Sequence, residues 1–303
     1  MADASNPTAD NGAQGLKLRL IGPPPDLAPY LSGYYRTEVA PGHVIEDWLP
    51  PEEANLRTGV AEVYSAAIGK ADLADVPRAI VSGPTNVGTH LRVGGGKFWG
   101  IGLTPAGWTR FIDTRASDLA NSFVPIDQPF IHPSIAELLD SLVTDGDDLE
   151  AVGARINATF RALLGERPLV ESTIHAVHLS ILSDDTTAVG PIAAMAGLNP
   201  RTFERFCQRH FGFTARKLLS RQRFLRSLGR YMMDPSMRWT HTLDQNYWDQ
   251  AQFIRDFRAT MNMRPSEYAE LPHPIVAAAV AVTKKGAGVA HQALYRPEGE
   301  TGL

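Results

Sequence analysis

A single cysteine, Cys207, stands among 303 residues, which excludes an internal disulfide framework and any zinc site built on cysteine. Long hydrophobic runs are missing as well. The longest, residues 275–282, falls far short of the roughly 20 residues that a membrane span needs, so no membrane partner is expected. Residues 1–15 are small and polar and lack the basic region and apolar core of a secretory signal, so they read as a disordered leader. Catalytic signatures are absent too: no nucleophile elbow, ordered Ser-His-Asp set or paired-carboxylate motif stands out. The glycines before Lys97 do not make a phosphate loop. Leu91 and Phe98 occupy the positions such a loop reserves for glycine and for Ser or Thr. His43 with His90, and His175 with His178, offer no third ligand at metal-binding spacing. The chain is therefore expected to have no cofactor, no metal and no enzymatic activity.

What is present is a pattern written twice within residues 191–268. Displaced by fifty residues, Phe203 falls on Phe253, Arg205 on Arg255 and Gly212 on Asn262. Asn is the commonest non-glycine residue in the left-handed backbone region, so the last pair is a physical match. Before the first copy, residues 191–196 form a small apolar helix that stops at Gly197. Asn199 then caps a new helix with Pro200 at its first position, where the missing N–H costs nothing. Helix, glycine turn and capped helix make the helix-turn-helix pattern, whose second helix lies in a DNA major groove. In the second copy Asn246 occupies the turn and Asp249 starts the new helix, while residues 240–245 before it are short and polar.

Charge agrees with this. Residues 197–272 carry thirteen basic and seven acidic residues, or +6; the whole chain is −4, so the remainder sums to −10. Nine of the basic residues fall within residues 197–230, against one acid, Glu204. A basic module joined to an acidic remainder is the asymmetry of a DNA-binding domain beside a separate partner or sensor domain.

These residues resemble the AraC/XylS-type bacterial transcription regulators. The signature is Arg201-Thr-Phe-Glu-Arg, Phe211-Gly-Phe-Thr and Arg223-Phe-Leu-Arg-Ser-Leu, then Tyr247-Trp-Asp-Gln-Ala-Gln-Phe-Ile-Arg-Asp-Phe-Arg and Pro265-Ser-Glu-Tyr. The chain departs from the family at Cys207, Asn246 and Gln252, where Phe, Gly and His are usual. The resemblance implies two helix-turn-helix units joined by a long linker helix, in a bacterial cytoplasm and associated with the nucleoid. It implies double-stranded promoter DNA as partner, with RNA polymerase, a small-molecule effector and a second copy of the chain as further partners.

Ahead of this module, residues 16–21, 60–68, 78–83, 87–93 and 97–103 are strand-like and bounded by Gly, Pro or Asn. That spacing argues for an antiparallel sandwich or small barrel, with residues 92–97 as a glycine-rich hairpin loop. Amphipathic helices follow at residues 134–143 and 148–164, with Asp147 and Asp148 suited to the first turn of the second. A weaker resemblance, carried by Leu27-Ala-Pro-Tyr-Leu-Ser-Gly-Tyr-Tyr, Ser82-Gly-Pro-Thr and Gly100-Ile-Gly-Leu-Thr-Pro-Ala-Gly-Trp, implies a cupin-like barrel that senses an effector or dimerises. The expected architecture is α+β. A leader (1–15) precedes a β-rich sensor-like domain (16–130), a helical connector (131–167), a double helix-turn-helix domain (168–272) and a flexible tail (273–303).

On the first recognition helix, Phe203 and Phe206 or Cys207 are assigned to the core, and Arg201, Thr202 and Arg205 to the groove. On the second, Phe253 and Phe257 are core, and Gln250, Gln252 and Arg255 face outward. Arg suits guanine O6/N7 or phosphate, Gln suits adenine N6/N7, and Thr suits phosphate or a thymine methyl. Phe224, Leu225 and Leu228 bury the linker helix. The second unit is expected to be the less stable. Its Asn246 would turn in the left-handed region, and Trp239, Tyr247 and Trp248 would supply the buried area its polar helix lacks. The expected function is sequence-specific regulation of transcription. The competing classes are a small-molecule-binding enzyme or carrier with an accessory helical domain, and an adaptor without sequence preference. The basic, duplicated module speaks against the first, and binding-site selection separates the second.

Overall fold

Alternating burial sets the first well-packed element of the chain. The computed structural model describes residues 8–11, 15–144, 148–183, 188–236 and 238–284. Following β1 (Thr8–Asn11), the strand β2 (Leu16–Ile21) buries Leu16, Leu18 and Leu20 and leaves the residues between them less covered, as a strand with one face on a core requires. The sheet grows from there through β3 (Leu31–Leu49), β4 (Ala54–Ile68), the two-residue β5 (Ala74–Asp75), β6 (Ala79–Ser82), β7 (Thr89–Leu103) and β8 (Phe123–Pro125). Its order is β1-β2-β3-β7-β4-β6-β8, with β5 on β4, and every pairing is antiparallel. Among the described residues β1 and β8 do not pair with each other, so the sheet curls without closing through hydrogen bonds. Thr8–Asn11 pairs with β2, so this part of the expected leader is an edge strand; the rest of residues 1–14 lies outside the described residues.

Residues 92–97 are not a hairpin loop. They lie inside β7, at the bend of one continuous strand. A Cβ on Gly94 would sit 2.8 Å from the His43 carbonyl oxygen, and one on Gly96 would sit 2.4 Å from that of Val60. Opposite them the pairing with β3 shifts register between Val39 and Val44. Glycine here lets three backbones close on one another while the strands turn. The curl gives two buried faces: Leu18, Val39, Val93 and Phe98 pack on the inner one, and Leu56, Val81, Trp99 and Ile101 on the outer one.

The outer face is covered by helices. Thr104 caps α1 (Pro105–Phe111) by accepting from Gly107 N at 3.0 Å. There follow α2 (Pro133–Leu142) and α3 (Leu149–Leu163), the latter capped by Asp148 on Glu150 N and Ala151 N; Asp147 lies outside the described residues. Next come α4 (Glu171–Leu182), α5 (Val189–Met195) and α6 (Pro200–Phe211). One hydrophobic core runs from the sheet through Leu139 and Phe160 to Ile174, Ile192, Phe203 and Cys207, so packing is continuous across the 167/168 boundary. Buried Glu171 fastens the same junction. It accepts from Tyr30 Oη, Arg110 Nε and Arg167 Nε, each at 2.8 Å.

The long helix α7 (Ala215–Met233) leads to α8 (Trp239–Thr242), α9 (Gln250–Met261) and α10 (Pro265–Glu270). The tail departs from expectation: Pro274–Lys284 forms an eleven-residue helix, α11, whose Ala278, Ala279 and Val282 pack on the inner face of the sheet. An Ala- and Val-rich segment has little helical patterning of its own, and docking supplies the order. Residues 285–303 of the expected tail lie outside the described residues.

Candidate nucleic-acid interface

Two helices fifty residues apart are built in the same local frame. Asn199 Oδ1 accepts from Thr202 N at 2.9 Å to start α6, and Asp249 Oδ1 accepts from Gln252 N at 2.6 Å to start α9. Each ends on a left-handed residue, Gly212 at φ +85° and Asn262 at φ +59°. The inward stripes also coincide: Phe203, Cys207 and Phe211 on one, Phe253, Phe257 and Met261 on the other, all buried. This is the i, i+4, i+8 spacing that keeps one helix face on a core. Phe206 is half-buried, with its ring 4.8 Å from that of His210.

The outward faces carry the expected residues. Arg201, Thr202 and Arg205 are exposed on α6, and Gln250 and Arg255 on α9. Gln252 is half-buried, and its carbonyl oxygen accepts from Trp248 N at 3.2 Å, so half of its amide closes the start of α9. Trp248 differs more. It is 93% exposed beside the N-terminus of α9 and supplies no buried area to the second unit. The expectation that Trp248 is buried rests on the large area an aromatic ring can cover, and here Tyr247 is the ring that is covered.

The turns of the two units are made differently. Gly197, at φ +68°, turns the first. Asn246 does not enter the left-handed region; among the described residues Asn121 and Asn262 are the non-glycine residues that do. Asp244 organises the second turn instead. It accepts from Asn246 N at 2.9 Å and from Arg226 Nε at 2.5 Å, and its own N–H donates to Ser227 Oγ at 2.8 Å. A side-chain acceptor tethered to α7 thus does the work of a glycine. Trp239 stacks on Tyr231 at 3.7 Å and meets Phe253 and Phe257, which anchors the single turn of α8.

The arginines divide into two groups. Arg221 Nη1 donates to the carbonyls of Glu52 (3.3 Å) and Thr85 (3.0 Å). Arg223 pairs with Asp256 at 2.9 Å and lies over the Tyr247 ring, Arg226 pairs with Asp244, and Arg230 donates to the Leu243 carbonyl at 3.1 Å. These four fasten α7. Arg201, Arg205, Arg209, Arg216 and Lys217 are exposed. Two titratable groups are buried behind this surface. Burial pushes the Cys207 thiol up to about 12, and burial with the nearby Arg209 holds His210 down at about 4, its Nδ1 2.9 Å from Thr109 Oγ1.

The inner face of the sheet holds a second candidate site, a cavity of about 90 Å³ lined by Leu18, Tyr35, Arg57, Tyr64 and Phe98 and closed by α11. Arg57 Nε donates to Tyr35 Oη at 2.8 Å, and its other end pairs with Glu52. Burial raises Tyr35 and pushes Tyr64 up to about 12, so both phenols keep their protons at neutral pH. The histidines weighed as metal ligands have other partners: His90 pairs with Glu46 and stacks on Trp48, and His178 pairs with Glu53 at 2.6 Å. Among the described residues no helix is long and apolar enough to cross a membrane.

Two capped helices with exposed polar faces, held on one linker helix, define a DNA-binding module of two helix-turn-helix units. Residues 192–270 match the family model described as a helix-turn-helix domain. No curated protein matches the chain. Among solved structures it is similar to ToxT from Vibrio cholerae, at 12% identity and a TM-score of 0.44 over 78% of this chain and 96% of that one. Wild-type ToxT bound to an unsaturated fatty acid is similar at 10% identity and a TM-score of 0.43, covering 75% of this chain and 94% of that one. A variant of Streptomyces PAC13 with uridine is similar at 14% identity and a TM-score of 0.24, covering 32% of this chain and 75% of that one.

Proposed function

We propose that the protein reads DNA through two successive major grooves, with α6 in one and α9 in the next. Arg201, Thr202 and Arg205 serve the first half-site; Gln250, Arg255 and the free part of Gln252 serve the second. The observation that supports this most is the shared frame of α6 and α9: equivalent caps, equivalent left-handed ends and the same buried stripe leave equivalent polar faces outward. The N-termini of both helices, where base edges are read in such modules, are the ends that carry these residues. Trp248 extends the second face, its indole placed to lie against sugar or a thymine methyl. The inner-face cavity is the effector site of this reading, with an apolar body of ligand against Leu18 and Phe98 and a polar end at Tyr35, Arg57 and Tyr64.

Binding-site selection on random DNA tests the proposal: it should enrich two half-sites about one helical turn, or ~34 Å, apart. No enriched sequence would sink sequence-specific reading. On the selected site, Arg205→Ala and Arg255→Ala should each cost ~1–3 kcal/mol if they read bases. An equal loss on random DNA would make both of them phosphate contacts.

A further inference from the structure

Two hydrophobic clusters, which also adjoin along β3, meet on α11. Ile275, Ala278, Ala279 and Val282 pack on the inner face of the sheet with Leu18, Val93 and Phe98. Val276 and Val280 pack with Phe224 of the linker helix and with Phe257 and Tyr268 of the second helix-turn-helix unit. The first turn of α11 is fastened to β3 by Asp47, which is fully buried. One carboxylate oxygen accepts from Ile275 N at 2.8 Å and Val276 N at 3.0 Å, and the other lies 3.0 Å from His273 Nδ1. Ile275, Val276 and Ala279 also form a wall of the inner-face cavity.

Size decides what that wall must do. The cavity measures about 90 Å³, whereas an apolar cavity of about 150 Å³ is what takes up a benzene. A ligand the size of a ring therefore needs a wall to move. The strands β3, β7 and β4 are each hydrogen-bonded on both edges. By contrast, α11 is held by side-chain packing and one carboxylate cap, with no strand paired to it, so it is the wall with the least to lose. At the polar end, Tyr35 and Tyr64 bring phenol O–H groups and Glu52 already neutralises Arg57. An uncharged oxygen acceptor is the group in short supply there.

Resting on the effector reading above, we infer that α11 is a displaceable plug. The ligand that displaces it is an apolar molecule with one carbonyl-type oxygen, and its binding releases α11 from the second helix-turn-helix unit. The oxygen accepts from the tyrosines, and the apolar body takes the place of Ile275 and Ala279. Val276 and Val280 then leave the core beneath α9, and the grip on the distal half-site falls. By linkage, DNA that engages both half-sites weakens ligand binding by the same factor.

Amide exchange on the full chain tests the coupling without any ligand. Ala277→Gly, at an exposed position, weakens α11 while touching neither core. Asp47→Asn removes the charged cap and is the harsher variant. Ala277→Gly should raise exchange about four- to fivefold across residues 275–282 and 250–261 together and leave 201–211 unchanged. It should weaken binding to a two-half-site operator several-fold, and binding to the proximal half-site alone not at all. A rise confined to 275–282 overturns the coupling. With 2-nonanone, nonanoate and nonane as probes, the ketone should reproduce the exchange pattern where nonane does not, and Tyr64→Phe should weaken it at least threefold. Nonanoate acting in place of the ketone, or no change at 275–282 with any probe, overturns the ligand class and the plug. A chain that selects no DNA sequence would instead overturn the regulator reading, with the exchange result still standing.

Discussion

Asp244→Ala should open the second helix-turn-helix unit while the first stays closed. The carboxylate is 2% exposed and joins the turn to the linker helix, through Asn246 N on one side and Arg226 Nε on the other. Burial works against its charged form, but the Arg226 guanidinium and the Asn246 amide hold the carboxyl below its usual range, so it is ionised at neutral pH. Truncation takes the Asp244 carboxylate away from Arg226, whose side chain is 10% exposed, and leaves the guanidinium its contact with the Ser183 carbonyl at 3.5 Å. Removing one partner of a buried pair costs about 3–5 kcal/mol, and the orphaned Asn246 amide adds about 1 kcal/mol. That is comparable with the whole stability of a small domain, roughly 5–15 kcal/mol. Asp244→Asn keeps an acceptor for the turn and should cost less, about 2 kcal/mol. Urea denaturation measures the size of the loss, and amide exchange locates it. Protection should collapse in residues 240–262 and persist in 192–212. Equal loss in both units, or a midpoint unchanged from wild type, would refute the assignment of the turn to Asp244. Adding Arg226→Leu to Asp244→Ala should restore part of the stability, because the stranded charge goes with it.

Four further outcomes are expected. His210 is held near pKa 4 in the fold, below the ~6.5 of the unfolded chain, so the unfolded state binds the extra proton. The associated stability is complete above about pH 6.5 and is lost as pH falls towards 4, by about 2 kcal/mol at pH 5; His210→Gln should remove that slope, and an unchanged slope would locate it elsewhere. Asn246→Gly should destabilise by about 0.4–1 kcal/mol in denaturation, since Asn246 is not left-handed and glycine only frees the unfolded chain. Cys207→Ser should cost about 1–3 kcal/mol and spare DNA specificity, because it buries a hydroxyl in a packed core; identical denaturation midpoints would contradict that burial. Trp248→Ala should leave stability within about 0.5 kcal/mol and weaken operator binding, which titration against labelled DNA would measure.

The duplicated module was legible because its signals are local. Asn199 and Asp249 cap within three residues of themselves, Gly212 and Asn262 stop their helices, and the buried stripes repeat every four residues. What stayed hidden depends on distant chain. The cap of α11 is Asp47, 228 residues from the first amide it accepts from. Gly94, Gly95 and Gly96 carry a turn signal, but pairing with β3 on one edge and β4 on the other overrides it. Asp244 looks like any polar turn residue until α7 brings Arg226 against it. Trp248 follows the buried Tyr247, and nothing in the dipeptide tells which ring faces solvent.

Charge was legible in amount but not in use. The surplus of residues 197–230 counts nine cations as if all were solvated, yet Arg221, Arg223, Arg226 and Arg230 end on carbonyls or carboxylates of the protein itself. Arg221, Arg223 and Arg226 are partly desolvated and held in place, and they offer DNA little of their charge, whereas Arg230 stays exposed. The exposed cations of residues 197–230 are Arg201, Arg205, Arg209, Arg216 and Lys217, with Arg230 at the far end of α7. Arg221, Arg223 and Arg226 give the module its attachment. Arg221 binds the backbone carbonyl of Glu52, whose side chain pairs with Arg57 at the polar end of the inner-face cavity. Glu52 thus touches the linker helix with its backbone and the cavity with its side chain. A shift of the β3–β4 loop at that residue is felt in both places, because one guanidinium group holds its backbone and another its side chain.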